Sequence, residues 1–170
     1  MLYLLDANVL IDANRDYYPI ERVPEFWQWL LRHAQSGSVK IPAEIHDEVK
    51  RGNDDLAQWV KEREVKGALM LDAEARPADV RRAIRRGYAA DLTDTEIDQL
   101  GRDPFLIAYA LRDARNHCIV TTEVSKPRKT RANRHLPDAA HRLGIETCNT
   151  FELTRRLDFR TRWRSSTEDR

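Results

Sequence analysis

The sequence is poor in cysteine: Cys118 and Cys148 are the only two in 170 residues. Two cysteines cannot build a disulfide framework, and neither has a second Cys or a His at zinc-ligand spacing, so a reducing cytoplasm fits best. No apolar run approaches the ~20 residues needed to cross a bilayer, which excludes a membrane span. The amino terminus, MLYLLDANVLID, has no basic leader and carries Asp6, so it is no signal peptide and is expected to be the mature start. No Gly/Ser linker or internal repeat divides the chain, and no Gly-rich phosphate loop supports a nucleotide-binding enzyme. An excess of charge is also missing: 29 Lys+Arg against 28 Asp+Glu leave a net +1, and bulk electrostatics select no polyanionic partner.

What is present is a composition 41% hydrophobic and 34% charged, that of a globular chain with an ionised surface. A chain of this size buries roughly 70% of its unfolded surface, enough for one core. One domain over residues 1–164 is expected, with a polar tail at 165–170 too hydrophilic to pack. Short apolar runs at Leu2–Leu5, Ser38–Ile41, Cys118–Val120 and Ile145–Cys148 read as buried strands. Between them lie helical patterns: Arg22 to Gly37 with Phe26, Leu30 and Ala34 in register, a helix opened by Pro42, a strong one started by Asp103-Pro104, a short one over Pro137–Leu143, and a last one capped by Thr150. Residues 53–101 read as a helical insertion of two to four helices, with a capping box at Thr93–Glu96 and a short strand near Leu69–Leu71. The alternation predicts an α/β fold with a central, mostly parallel sheet flanked by helices.

Ligands of open parallel sheets collect at the carboxyl ends of strands. Two runs end alike there: Leu2–Leu5 runs into Asp6 with Asn8 beyond, and Cys118–Val120 runs into Thr121, Thr122 and Glu123. Asp103 starts the helix feeding the second strand, and Glu48 lies on the helix after the Ser38–Ile41 run, so four acids can converge. Each also has a plain structural explanation: Asp6 and Asp103 as helix caps, Glu48 as a partner of Arg51. Glu44 competes with Glu48 for the second position. Converging carboxylates repel unless a cation neutralises them, and oxygen-only donors select Mg2+ or Mn2+ over zinc.

The run Leu4-Leu5-Asp6-Ala7-Asn8-Val9-Leu10-Ile11 resembles the opening motif of PIN-domain ribonucleases, including toxins of the VapC type. Glu48-Val49-Lys50-Arg51-Gly52, Asp103-Pro104-Phe105-Leu106-Ile107-Ala108 and Val120-Thr121-Thr122-Glu123 resemble the second, third and fourth motifs, in the family's order. Arg102–Tyr109, Thr121–Pro127 and Asn149–Phe151 look more closely like a PIN-like subgroup first catalogued as a family of unknown function. The resemblance implies a PIN-like fold and a cytoplasmic, metal-dependent endoribonuclease leaving a 3′-hydroxyl and a 5′-phosphate. Asp6, Glu48, Asp103 and Glu123 would hold Mg2+ or Mn2+, with Asn8 and Thr121 as polar supports. It further implies the toxin of a toxin-antitoxin pair, an RNA substrate, a cognate antitoxin protein and a possible homodimer. The fourth acid of the family is usually Asp, so Glu123 is one methylene longer.

Directly after Glu123, the stretch containing Lys126, Arg128, Lys129, Arg131 and Arg134 has no acid, which suits a phosphodiester backbone. Arg155, Arg156, Arg160, Arg162 and Arg164 are interspersed with Leu157, Phe159 and Trp163, a pattern for stacking on bases or packing on a partner. Trp27, Trp29 and Trp59 read as packing residues. The competing reading is a catalytically silent PIN-like module that binds RNA or protein. A phosphatase with Asp6 as nucleophile is disfavoured, because Asn8 stands where its second acid is needed.

Overall fold

The computed structural model describes residues 1–161. The tail expected at 165–170, and Arg162, Trp163 and Arg164, lie outside the described residues. Four parallel strands form one sheet in the order β2-β1-β3-β4: β1 (Leu2–Leu5), β2 (Val39–Lys40), β3 (His117–Val120) and β4 (Glu146–Cys148). Helices flank it, as the sequence predicts, in an arrangement consistent with a PIN-like fold. Leu4, Leu5, Ile119 and Val120 are fully buried, which explains why these strands read as unbroken apolar runs. β1 pairs with β2 on one side and with β3 on the other. The chain therefore changes direction along the sheet between β1 and β3, and ligands of open α/β sheets collect at the carboxyl ends of strands at such a switch point.

β1 leads into α1 (Ala7–Asp12), continued by a π-helical turn over Ala13–Tyr17. Then comes α2 (Pro24–Gln35), with Pro24 at its start and Gly37 at φ 80° turning the chain after its end. Its buried face carries Phe26, Trp27, Trp29 and Leu30. The Trp27 indole N–H donates to Tyr18 O at 2.7 Å and the Trp29 indole N–H to Leu157 O at 3.1 Å, so both rings are buried without an orphaned donor. Phe159 packs edge-on against Tyr18 and Phe26, at ring distances of 5.7 and 5.5 Å. Leu157 and Phe159 thus belong to the protein's own core, which removes them from the expected base-stacking surface. Arg156 and Arg160 are also engaged, with Glu146 at 2.7 Å and Asp158 at 2.9 Å.

After β2 comes α3 (Ala43–Val49), and then the insertion: α4 (Asp55–Trp59), α5 (Arg63–Leu69), α6 (Pro77–Arg82) and α7 (Asp94–Gln99). α6 runs into a second π-helical segment over Ala83–Tyr88. Asp54 caps α4, and the Thr93/Glu96 capping box at α7 forms as expected. The strand expected at Leu69–Leu71 reduces to a single parallel bridge between Ile41 and Met70. With α5 ending at Leu69, too little extended chain remains for a ladder.

α8 (Asp103–Ala110) is almost wholly buried and feeds β3. α9 (Leu136–His141) and β4 follow, and α10 (Thr150–Arg156) closes the described chain. Its cap is Asn149, not Thr150: Asn149 accepts the Glu152 N–H at 2.9 Å while Glu152 accepts the Asn149 N–H at 2.9 Å. Asp103 is likewise not a cap. It is the first helical residue after Arg102, and its side chain makes no capping bond. No helix among the described residues is long and apolar enough to cross a membrane.

Candidate active site

Two backbone bonds fix the rim at the switch point. Asp6 N–H donates to Val120 O at 2.9 Å and Thr121 N–H to Cys148 O at 3.0 Å, so both residues extend the parallel ladder by one step past the apolar strands. Asp6 begins α1 through its carbonyl, which accepts the Val9 N–H at 3.1 Å, while its buried side chain caps nothing. The carboxylate instead accepts the Thr121 hydroxyl at 3.0 Å. Thr121 Oγ1 in turn accepts the Glu123 N–H at 3.2 Å, so one buried hydroxyl orients one acid and the backbone of another. The polar support expected of Thr121 has a definite geometry. Asn8, by contrast, is exposed on the first turn of α1 and makes no hydrogen bond to the acids.

The third acid has a partner absent from every motif. Tyr88, at the end of the π-helical segment, donates its hydroxyl to Asp103 Oδ2 at 3.2 Å. Glu123 Oε2 accepts the Leu136 N–H at 2.9 Å, at the first turn of α9, and His135 Nδ1 lies 3.6 Å from the same oxygen. Glu48 is exposed on α3 and does not pair with Arg51; the neighbouring bridge runs from Lys50 to Asp47 at 2.6 Å.

The four acids form one electrostatic group. Burial pushes Asp6 up to about 6 against the Thr121 hydrogen bond, and the charges of Glu123 and Glu48 add to the rise. Burial takes Asp103 to about 8, with Asp6, Glu123 and Glu48 raising it and the Tyr88 hydroxyl opposing them. Burial and then Asp103 hold the Tyr88 phenol far above its usual range, so it stays a donor. Glu48 acts on Asp6 and Asp103, whereas Glu44 places its charge beside buried Tyr109. No Arg or Lys pairs with Asp6, Glu48, Asp103 or Glu123 among the described residues.

In donor type and charge this set fits a hard divalent cation: all-oxygen ligands, buried in part and uncompensated. The side chains as they stand do not close around one point, for no three acid, His or Cys side chains among the described residues are near enough to hold an ion together. Glu123 is drawn to the Leu136 N–H and Asp103 to Tyr88, each toward the donor that relieves its charge.

Beside the acids, a cleft of about 570 Å³ follows the carboxyl ends of β3 and β4. Thr121 and Glu123 line it, together with Asp12, Cys148 and the exposed pair Tyr17 and Phe151, whose rings meet edge-on at 5.1 Å. Asp6, Glu48 and Asp103 lie outside its walls.

The basic stretch divides in two. Lys126, Arg128 and Lys129 are exposed. Arg131 is not available to a phosphate: it contacts Glu96 and Asp91, each at 2.8 Å, and ties the loop to α7. Arg134 Nη1 donates to Gly87 O at 2.8 Å and Tyr88 O at 2.6 Å, satisfying carbonyls where the π-helical segment ends. Both arginines serve the fold, against the expectation that all five positive charges face RNA. Sequence reasoning also passed over Tyr88, which sits in a polar stretch and shows no periodic signal.

No curated protein matches the chain, and neither does any solved structure. The family model of a domain of unknown function, DUF4411, matches residues 3–161, from within β1 to beyond α10, and the chain belongs to that family.

Proposed function

We propose that the protein is a Mg2+- or Mn2+-dependent endoribonuclease of the PIN type, acting as the toxin of a toxin-antitoxin pair in the cytoplasm. One observation carries the nuclease reading: carboxylates from the ends of β1 and β3 and from α3 and α8 act on one another, with no Arg or Lys paired to them among the described residues. Asp6, Glu48, Asp103 and Glu123 are the residues that would hold the ion. A divalent ion held there would neutralise them and supply the charge that activates water and stabilises a departing oxygen. Thr121 fixes Asp6 through its hydroxyl, and Tyr88 does the same for Asp103. The toxin role rests on the motif resemblance, which also implies an antitoxin and a homodimer.

The silent-module reading draws on the distances that keep the acids from closing on one point. Incubating a mixed RNA pool with Mg2+, Mn2+ or EDTA, with Asp6→Asn as control, separates the two. Metal-dependent cleavage by the native protein alone, leaving 5′-phosphate ends, supports the enzyme; equal products from both proteins refute it.

A further inference from the structure

Arg81, Arg82, Arg85 and Arg86 are all exposed, on the last turn of α6 and the π-helical segment that continues it. With Ala78 and Ala90 they line a groove of about 640 Å³. No hydrogen bond or ion pair engages any of these four guanidinium groups among the described residues, although acids are as common in the chain as bases. Arg81 and Arg85, and Arg82 and Arg86, stand four apart, where like charges disfavour a helix. Arg142 adds a fifth cation, because its Nε donates to Arg86 O at 3.0 Å. A smaller apolar hollow shares Arg81 and Arg85 with the groove and is floored by Ile84, Leu92 and the exposed Ile97.

The groove and the acids are joined through the backbone of the insertion. The segment bearing Arg85 and Arg86 ends at Tyr88, whose hydroxyl is bound to Asp103. Guanidinium groups match phosphate oxygens through paired N–H donors, and an apolar hollow beside them suits the face of a base.

We propose that this groove is the seat of the RNA strand, with Arg81, Arg82, Arg85 and Arg86 holding successive phosphodiesters and the hollow by Ile84 and Leu92 receiving a nucleobase. The proposal rests on the ribonuclease reading for its choice of RNA, but binding can be measured without cleavage. It moves the main polyanion contact from the stretch after Glu123 to the helical insertion.

The test uses the full chain carrying Asp6→Asn, in EDTA, and a short fluorescein-labelled single-stranded RNA titrated at several salt concentrations. Replacing the four arginines with Gln is expected to weaken binding at low salt by about tenfold or more and to shrink the slope of log K against log salt by about 3. Changing all four to Lys should restore most of the slope, and Arg81→Gln/Arg85→Gln guards against misfolding of the fourfold variant. Lys126→Gln/Arg128→Gln/Lys129→Gln should move the slope less. Native affinity and slope in the fourfold Gln variant overturn the proposal. So does unaltered RNA binding accompanied by loss of a poly-glutamate peptide, which would make the groove a seat for an acidic protein segment. If arginine-dependent RNA binding holds while the native chain never cleaves RNA, the groove stands and the nuclease reading falls.

Discussion

Tyr88 donates its hydroxyl to Asp103 Oδ2 at 3.2 Å, joining the helical insertion to the acid cluster across 15 residues of sequence. This bond favours the ionised carboxylate, against burial and three neighbouring acids that raise Asp103. Tyr88→Phe is expected to raise Asp103 further above about 8 and to cost about 1 kcal/mol of stability. A carboxyl titration followed by NMR should show the rise, and the acidic limb of the cleavage pH profile should move with it. An unshifted Asp103 titration would remove Tyr88 from the site.

The raised acids make a signed prediction about stability. An aspartate titrating at about 8 in the folded state and near 4 when unfolded binds its proton more tightly when folded. Between those values the native chain holds the extra proton, so stability falls as pH rises, by up to about 1.4 kcal/mol per pH unit per group. Asp6, at about 6, adds to the decline over the lower part of the range. Asp103→Asn keeps an oxygen for the Tyr88 hydroxyl and removes the ionisation. In metal-free buffer its Tm should exceed that of the native chain at pH 8 and approach it near pH 4. A native chain more stable at pH 8 than at pH 5 would contradict the buried-acid account.

Thr121 satisfies two groups with one hydroxyl, donating to Asp6 and accepting from Glu123 N–H. Thr121→Val keeps the shape and strands both partners, at a cost of about 2–4 kcal/mol. It should also lift Asp6 above about 6, since the lost bond favours the carboxylate. Thr121→Ser should recover most of both effects in chemical denaturation and in the Asp6 titration. Equal stability of the Val and Ser variants would show that the hydroxyl orients nothing.

Arg131 is already neutralised. Glu96 is held down to about 2, chiefly by its hydrogen bonds with Arg131, so the pair persists across the physiological range. Arg131→Gln is therefore expected to leave the salt slope of RNA binding unchanged and to speed amide exchange in α7. A reduced slope with unchanged exchange would return Arg131 to the RNA surface.

These cases mark what the sequence could and could not disclose. Leu2–Leu5 and Cys118–Val120 announce themselves because both sheet faces are buried, and the polar residue ending each run falls on the rim by chain continuity. Asp6, Thr121 and Glu123 were therefore readable as neighbours. The cap of α10 is signalled by Glu152 three residues after Asn149, a spacing that the adjacent Thr150, itself a favoured cap residue, masks. Tyr88 is not readable in this way, because its role depends on how a polar insertion folds back onto α8. The same holds for Arg131 and Arg134, whose partners lie 35 to 47 residues away. A run of positive charge looks alike in sequence whether its counter-ions are distant acids, backbone carbonyls or none. Arg131 and Arg134 are engaged by such partners, whereas no hydrogen bond or ion pair engages the guanidinium groups of Arg81, Arg82, Arg85 and Arg86 among the described residues.

The central claim is that Asp6, Glu48, Asp103 and Glu123 share one site for a divalent ion, and calorimetric titration of the metal-free protein with Mn2+ at pH 7 tests it most directly. Because Asp103 titrates at about 8, binding should release about one proton, seen as a dependence of the heat on the ionisation enthalpy of the buffer. The account predicts saturable uptake that Asp6→Asn and Asp103→Asn each weaken by about tenfold or more. No saturable uptake by the native protein, or uptake indifferent to both substitutions, would contradict it.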